Sequence, residues 1–192
     1  MADVLQKLFG SAARVKILRL FLFNASEAYT VREVGERTNT KSTEARREIL
    51  LMHSIGFLSQ MRRKDAAAYA LNTQFAYLVA LQNLILNTPV RIQDIHKQIE
   101  GVGSIKLVVT SGIFMNNREV ALDLFIVGDK INEKKLKNRL QRLEAEIGKE
   151  LRYTVLASED FFYRLNISDR LVRDVFDYPH RIVYDRLDIG LK

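Results

Sequence analysis

Residues 30–72 read TVREVGERTNTKSTEARREILLMHSIGFLSQMRRKDAAAYALN, and this stretch decides the fold of the first half of the chain. Thr30 and Glu33 have the three-residue spacing of a capping box, in which each side chain accepts a backbone N–H from the other residue. The spacing predicts a helix running to about Thr38. Asn39-Thr40-Lys41 reads as a short turn. Ser42 is expected to cap a further helix from Thr43 to about Ile55, and Gly56 suits its stop. In that helix Ala45, Ile49 and Met52 recur at steps of four and three, the spacing of a buried stripe. Gly35 in the preceding helix is small enough to let the two helices cross closely. Phe57–Arg62 and Ala67–Leu71 read as strands on either side of Arg63-Lys64-Asp65. Upstream, Ala12–Asn24 is helical, with Val15, Ile17, Leu18, Leu20, Phe21 and Leu22 as its apolar positions. Downstream, a long apolar helix is expected over Thr73–Asn87.

Two short helices, a tight turn and a β-hairpin form a winged helix-turn-helix, and the geometry of that motif assigns roles. The helix from Thr43 buries one face and offers the other to a major groove. Thr43, Arg46 and Arg47 fall outside its buried stripe, in the N-terminal half that reaches base edges in such motifs. Lys41 and Ser42 stand at the helix start, where phosphate is met. Arg62, Arg63 and Lys64 put three consecutive positive charges at the hairpin, as a wing along a DNA backbone or minor groove requires. The partner expected is double-stranded DNA. Taken singly, the clusters also fit blander roles. Arg46 and Arg47 suit a solvated face paired with Glu44 or Glu48, and Arg62–Lys64 suit charges that protect an edge hairpin.

Charge supports the same partner. The chain of 192 residues carries 30 Lys and Arg against 23 Asp and Glu, a net charge of +7. Residues 1–88 hold 12 of the basic and 7 of the acidic residues. A basic balance of this kind suits a polyanion. Cysteine is absent, which excludes disulfides, thiolate metal sites and cysteine nucleophiles. His53, His96 and His180 are too scattered for a local zinc motif. No basic segment followed by an apolar stretch opens the chain, and no apolar run reaches the roughly 18 residues of a membrane span. These features lead to the expectation of a cytoplasmic protein without membrane partner, metal or cofactor.

Residues 5–73 resemble the winged-helix repressors of the arsenical-resistance type. The likeness rests on Leu8-Phe9-Gly10-Ser11, Arg14-Val15-Lys16-Ile17-Leu18, Thr30-Val31-Arg32-Glu33-Val34, Ser42–Ile49, Ser54-Ile55-Gly56-Phe57-Leu58 and Tyr69-Ala70-Leu71-Asn72. The metal-sensing members of that group use cysteine or histidine clusters, and this chain has neither.

In the second half Arg91–Glu100 reads as a helix, Lys106–Thr110 and Ala121–Val127 as strands, and Asn132–Lys149 as an amphipathic helix with apolar Leu136, Leu140, Leu143 and Ile147. Tyr153–Leu156 is a third strand, Ser158 caps a helix, and Ile182–Tyr184 is a last short strand. Segment 105–128 is similar to the core of the minimal nucleotidyltransferase superfamily. There a Gly-Ser pair holds nucleotide phosphate, and an Asp-x-Asp on the next strand clamps two magnesium ions. In this chain the corresponding positions are Ser111-Gly112 and Ala121-Leu122-Asp123, so the second carboxylate is missing. The resemblance therefore implies a degenerate nucleotide site at Ser111, Gly112 and Asp123 without catalytic residues. Asp123 suits a residue that caps a loop or pairs with a nearby cation, and weak nucleotide or metal binding is the other reading. Gly148–Val155, Ser158–Phe161, Arg173–Phe176 and His180–Tyr184 extend the likeness towards the C-terminus. Lys134, Lys135, Lys137, Arg139 and Arg142 form a basic helical run that reads as a solvated face laced with Glu144 and Glu146.

The expected fold class is α+β, with a winged helix-turn-helix over 1–73, linker helices over 74–100 and a nucleotidyltransferase-like α/β domain over 101–192. The order resembles a group of predicted prokaryotic transcriptional regulators. It implies a non-enzymatic, sequence-specific regulator acting as a homodimer, with Phe75, Leu78, Leu81, Leu84 and Ile85 as the dimerisation stripe unless that stripe covers its own domain. The second domain would serve dimerisation or sensing of an unidentified small-molecule or protein effector. A nucleotidyltransferase tethered to DNA and an antitoxin-like partner-binding regulator are the alternatives.

Overall fold

A computed structural model of the chain describes residues 4–63, 66–86, 94–115, 117 and 120–189. The chain is mixed α+β and separates into two compact units. The first comprises Met1–Thr88 with Gln141–Glu150, and the second Pro89–Leu140 with Leu151–Lys192. The stretch expected as linker, 74–100, is thus shared between them. Lys64 and the expected helix stop at Pro89 lie outside the described residues.

The first unit is built in the order α1 (Val4–Phe9), α2 (Ala12–Phe23), β1 (Ala28–Thr30), α3 (Val31–Thr38), α4 (Ser42–Ser54), β2 (Leu58–Arg63), β3 (Ala66–Leu71) and α5 (Leu78–Leu86). Ser11 caps α2, its hydroxyl accepting the Arg14 N–H at 3.1 Å. From Val15 to Leu22 every α2 residue but Lys16 is buried, so this helix forms the centre of the unit rather than one wall of it. Phe21, Ile17, Ile49, Met52 and Phe57 fill the core around it.

The capping box at Thr30 and Glu33 forms in both directions. Asn39 closes α3 in the left-handed conformation, and the Thr40 N–H reaches the Gly35 carbonyl at 2.9 Å. A Cβ on Gly35 would stand 3.1 Å from the Thr40 oxygen and 3.9 Å from the Ala45 Cβ, so the close helix crossing does need a small residue there. The α4 helix begins at Ser42 itself, preceded by Lys41, and no side chain caps it; the expected Ser42 cap does not form. The three strands pair antiparallel in the order β1-β3-β2, with Tyr29 opposite Tyr69 and Leu58 opposite Leu71.

Helix α5 starts five residues later than its apolar pattern suggests. The Asn72 side chain accepts the Gln74 N–H at 3.0 Å, and the Phe75 N–H bonds the Asn72 carbonyl at 3.1 Å, so a turn replaces the first helical residues. Phe75, Leu78, Leu81 and Ile85 pack on the unit's own core. Four of the five residues expected to dimerise thus pack on their own unit, and Leu84 of the same stripe is 42% exposed.

The second unit runs α6 (Ile95–Ile99), β4 (Ser104–Thr110), a 3-10 turn (Gly112–Met115), β5 (Leu124–Asp129), α7 (Glu133–Ile147, ending in the first unit), β6 (Tyr153–Leu156), α8 (Ser158–Asn166), α9 (Arg170–Asp177) and β7 (Arg181–Asp185). Its sheet has the order β6-β5-β4-β7, parallel between β5 and β6 and antiparallel elsewhere. Leu107, Val109, Phe125, Val127 and Phe161 form a core with Val172 and Val175 of α9. The strand expected from Ala121 begins three residues later. The Asp123 and Leu124 N–H groups are turned to the Arg152 carbonyl, at 2.8 and 3.2 Å, which takes 121–123 out of the run. Leu136, Leu140, Leu143 and Ile147 of α7 are all buried, as the spacing requires. Ser158 does not cap α8 by its side chain; its N–H and hydroxyl both donate to Asp129, at 2.9 and 2.8 Å.

Candidate functional site

Helix α4 carries the first set of candidate residues. Ala45, Ile49 and Met52 are buried, and Lys41, Ser42, Thr43, Arg46 and Arg47 are all exposed at its N-terminal half. The two sets follow from helical geometry, since residues three and four apart share a face. Glu48 falls on the buried side and is only 1% exposed. A carboxylate there must be paired to remain charged. Arg14 of α2 donates through Nε to Glu48 Oε2 at 2.8 Å, and the Ser11 hydroxyl donates to Oε1 at 3.2 Å. Burial pushes the Glu48 carboxyl up, but the Arg14 guanidinium, with Arg47 and Ser11, more than reverses this and holds it below its ordinary value. The pair fixes the rotation of α4 about its axis relative to α2. Arg47 also reaches Glu48 Oε1, at 3.3 Å, while its side chain stays 72% exposed. Arg46 has no ion-pair partner among the described residues.

The hairpin residues divide. Successive strand residues point to opposite faces. Arg62, opposite Ala67, is exposed. Arg63, opposite Ala66, turns back on the unit: its guanidinium donates to the Ala28 carbonyl at 2.7 Å and to Glu33 Oε1. Glu33 thus serves the α3 cap and the hairpin together. The Thr30 backbone N–H, more than Arg63, holds its carboxyl below the ordinary glutamate value. Sequence reasoning gave Arg62 and Arg63 one role, whereas the structure ties the second guanidinium to α3.

In the second unit Ser111, Gly112 and Asp123 do come together. The Ser111 N–H bonds the Asp123 carbonyl at 2.9 Å, and the Ser111 hydroxyl donates to the Pro179 carbonyl at 2.7 Å. Gly112 has φ +52°, and a Cβ on it would lie 2.1 Å from Asp123 Oδ1. Asp123 has no exposed surface. Its Oδ1 accepts the Ile113 N–H at 3.0 Å and Arg152 Nη2 at 2.9 Å. Its Oδ2 accepts the Arg152 backbone N–H and Nε, both at 3.0 Å. Four donors therefore occupy the two oxygens, and the fork of Arg152 supplies the opposite charge. Burial raises the carboxyl, and the Arg152 contacts together with the Ile113 N–H lower it below its ordinary value. The sequence offered Asp123 a nearby cation without saying which; Arg152, 29 residues on, is that cation.

A cleft of about 170 Å³ lies beside this loop, lined by Val109, Leu122, Leu124, Phe125 and Tyr178 among others. No three His, Asp or Glu side chains converge as a metal site among the described residues. The histidines lie apart: the His96 ring stacks on Tyr184 at 3.6 Å, and His53 Nδ1 lies 3.0 Å from the Leu58 carbonyl. Compared with protein-family models, with curated proteins and with solved structures, the chain matches none.

Proposed function

We propose that the chain is a sequence-specific regulator of transcription that binds double-stranded DNA as a homodimer. The observation that carries this reading is the exposed N-terminal half of α4, where Lys41, Ser42, Thr43, Arg46 and Arg47 stand opposite the buried Ala45, Ile49 and Met52. The order α2, β1, α3, α4, β2, β3 with sheet order β1-β3-β2 supports a winged helix-turn-helix reading, in which α4 would enter the major groove. Arg46 and Arg47 would read base edges, Lys41 and Ser42 would meet phosphate, and Arg62 would track the backbone. Arg63, with its guanidinium already engaged by Glu33 and Ala28, would set the attitude of the hairpin.

On this reading the second unit is a degenerate nucleotidyltransferase-like domain without catalysis. A two-metal clamp needs free carboxylate oxygens, and both oxygens of Asp123 are taken by Arg152 and backbone N–H groups. The domain would serve as scaffold or sensor in a cytoplasmic regulator. No helix among the described residues is long and apolar enough to cross a membrane.

The test is binding of the full chain to a fragment of its own gene's promoter against random duplex, at two salt concentrations. Selective binding that weakens with salt is expected. Arg46→Ala or Arg47→Ala should cost about 1–3 kcal/mol on the specific fragment and relax specificity there. Equal binding to both duplexes, or variants that bind like the parent, would remove the reading.

A further inference from the structure

The second unit segregates its charge in a way that its fold does not require. Residues 130–140 contain Lys130, Lys134, Lys135, Lys137 and Arg139 against Glu133 alone, while the rest of the unit holds 11 basic and 12 acidic residues. Elsewhere in the unit the basic side chains of helices are tied to acids. Lys97 meets Asp94, Arg164 meets Asp169, Arg170 meets Asp174 and Arg173 meets Asp177. Helix α7 is different. Lys135 donates to the Gly101 carbonyl at 2.7 Å, but no ion pair among the described residues involves Lys130, Lys134, Lys137 or Arg139. Glu146, which the sequence suggested would lace this face, is paired with Lys16 at 2.7 Å.

We infer that the outer face of α7 is a second phosphate-binding surface, which takes the sugar-phosphate backbone of duplex DNA without reading its sequence. This rests on the regulator reading above. Lys134 and Lys137, three residues apart, share an exposed face that Lys130 precedes, whereas the half-buried Arg139 is turned about 200° from Lys137 and lies on the other flank. From Lys134 to Lys137 the helix advances about 4.5 Å at 1.5 Å per residue. Each strand of duplex DNA carries one charge per roughly 3.4 Å of axis, so a stretch of this length faces one or two phosphates of a backbone. An anionic membrane is the weaker fit. Membrane-surface helices insert an apolar face, and the apolar residues Leu136 and Leu140 are buried in the protein, leaving Asn132, Asn138 and the cations outside.

The experiment uses the full chain and the double variant Lys134→Gln, Lys137→Gln. Affinity for a long random duplex and for the promoter fragment is followed by fluorescence anisotropy across a salt series. Each lost phosphate contact lowers the salt slope by about 0.9, so two contacts make the parent lose about 12-fold more affinity than the variant between about 50 and 200 mM salt. The ratio of specific to random binding should stay as in the parent. Replacing Lys134 and Lys137 by Arg instead should keep the parent slope, and equal unfolding midpoints would exclude a folding effect. Parallel salt lines for parent and double variant overturn this inference and leave the α4 reading intact. A parent that binds no duplex at all overturns both. Loss confined to anionic phospholipid vesicles, with DNA binding unchanged, would assign the face to a membrane and also overturn it.

Discussion

Asp123 shows how one carboxylate can be spent entirely within the protein. With no exposed surface and four donors on its two oxygens, it fastens the loop after β4 to the strand entering at Arg152. Replacement by Asn keeps the shape but removes the charge that faces the Arg152 fork and turns an amide N–H₂ towards donors. We expect Asp123→Asn to cost about 2–4 kcal/mol of stability in urea unfolding at neutral pH, less than a fully buried pair because Arg152 is itself 44% exposed. The pH dependence has a definite sign. The folded carboxyl titrates below the unfolded value of about 3.9, so its contribution is complete above roughly pH 5 and is lost as pH falls through 3.9 towards the folded value. The variant should lack this part of the acid dependence. Equal acid profiles for parent and variant would show that the pair does not hold the loop. At this scale the residue was legible in the sequence and its partner was not. Asp123 stood out as the carboxylate left at the position of an Asp-x-Asp pair, but the choice of Arg152 is made by strand pairing between β5 and β6, which residue spacing does not encode. Glu48 and Arg14, 34 residues apart, repeat the lesson on α4. The usable signal there was a Glu on the same helical face as Ala45, Ile49 and Met52.

Elements with a cap and a period were legible, and elements without them were not. Helix α3 has the bounds that Thr30 and Glu33 dictate, and α7 has the apolar stripe read from its steps of three and four. Strand β1 has three residues and α1 six, too few for a period to emerge. The start of α5 was hidden because Asn72 competes for backbone N–H groups with its own side chain. The hairpin repays a comparison within one element. Arg62→Ala should lower affinity for every duplex and reduce the salt slope by about 0.9, measured by anisotropy. Arg63→Ala should act first on folding, by about 0.5–1.5 kcal/mol in thermal or urea unfolding, because it removes the bonds to Ala28 and Glu33. Identical behaviour of the two variants in both measurements would contradict the division of roles drawn from the strand faces. Gly148 gives a second element-scale expectation. It has φ +86°, and a Cβ on it would lie 2.6 Å from backbone atoms of Arg19 and Leu20, so neither side has a flexible group that can yield. Gly148→Ala should destabilise the first unit by about 2 kcal/mol or more, seen as a lower urea midpoint; an unchanged midpoint would mean that 141–150 does not seat against α2.

At the scale of the whole chain, the order of the longer elements was legible but the membership of the units was not. No change of composition marks residues 141–150, yet they belong to the first unit. There the Arg19 guanidinium donates to the Glu146 carbonyl at 2.9 Å and the Asn24 amide to the Gly148 carbonyl at 2.8 Å. Such assignments depend on where a helix end lands, a tertiary fact. The same holds for dimerisation. Phe75, Leu78, Leu81 and Ile85 are packed on the unit's own core, so a homodimer would draw on the apolar residues left open, Leu84 of that stripe, at 42% exposure, among them. Val4 and Leu8 on α1 are 71% and 66% exposed, and Tyr77 and Val79 at the start of α5 are 69% and 68% exposed. Burying such side chains contributes about 1.5–3 kcal/mol each when complete, and few other apolar residues of the first unit are as open. A two-fold dimer through these helices would present two copies of α4 to a roughly palindromic site. The double variant Leu8→Glu, Val79→Glu places charges where that interface would close and leaves the core untouched. Sedimentation equilibrium should then give a dimeric parent and a monomeric variant of unchanged helicity. On DNA the variant should retain the parent's weak affinity for a half-site and lose the gain that a full two-half-site fragment provides. A parent that sediments as a monomer at micromolar concentration, or a variant that still dimerises, would rule out this interface while leaving the base contacts of Arg46 and Arg47 to be judged on their own.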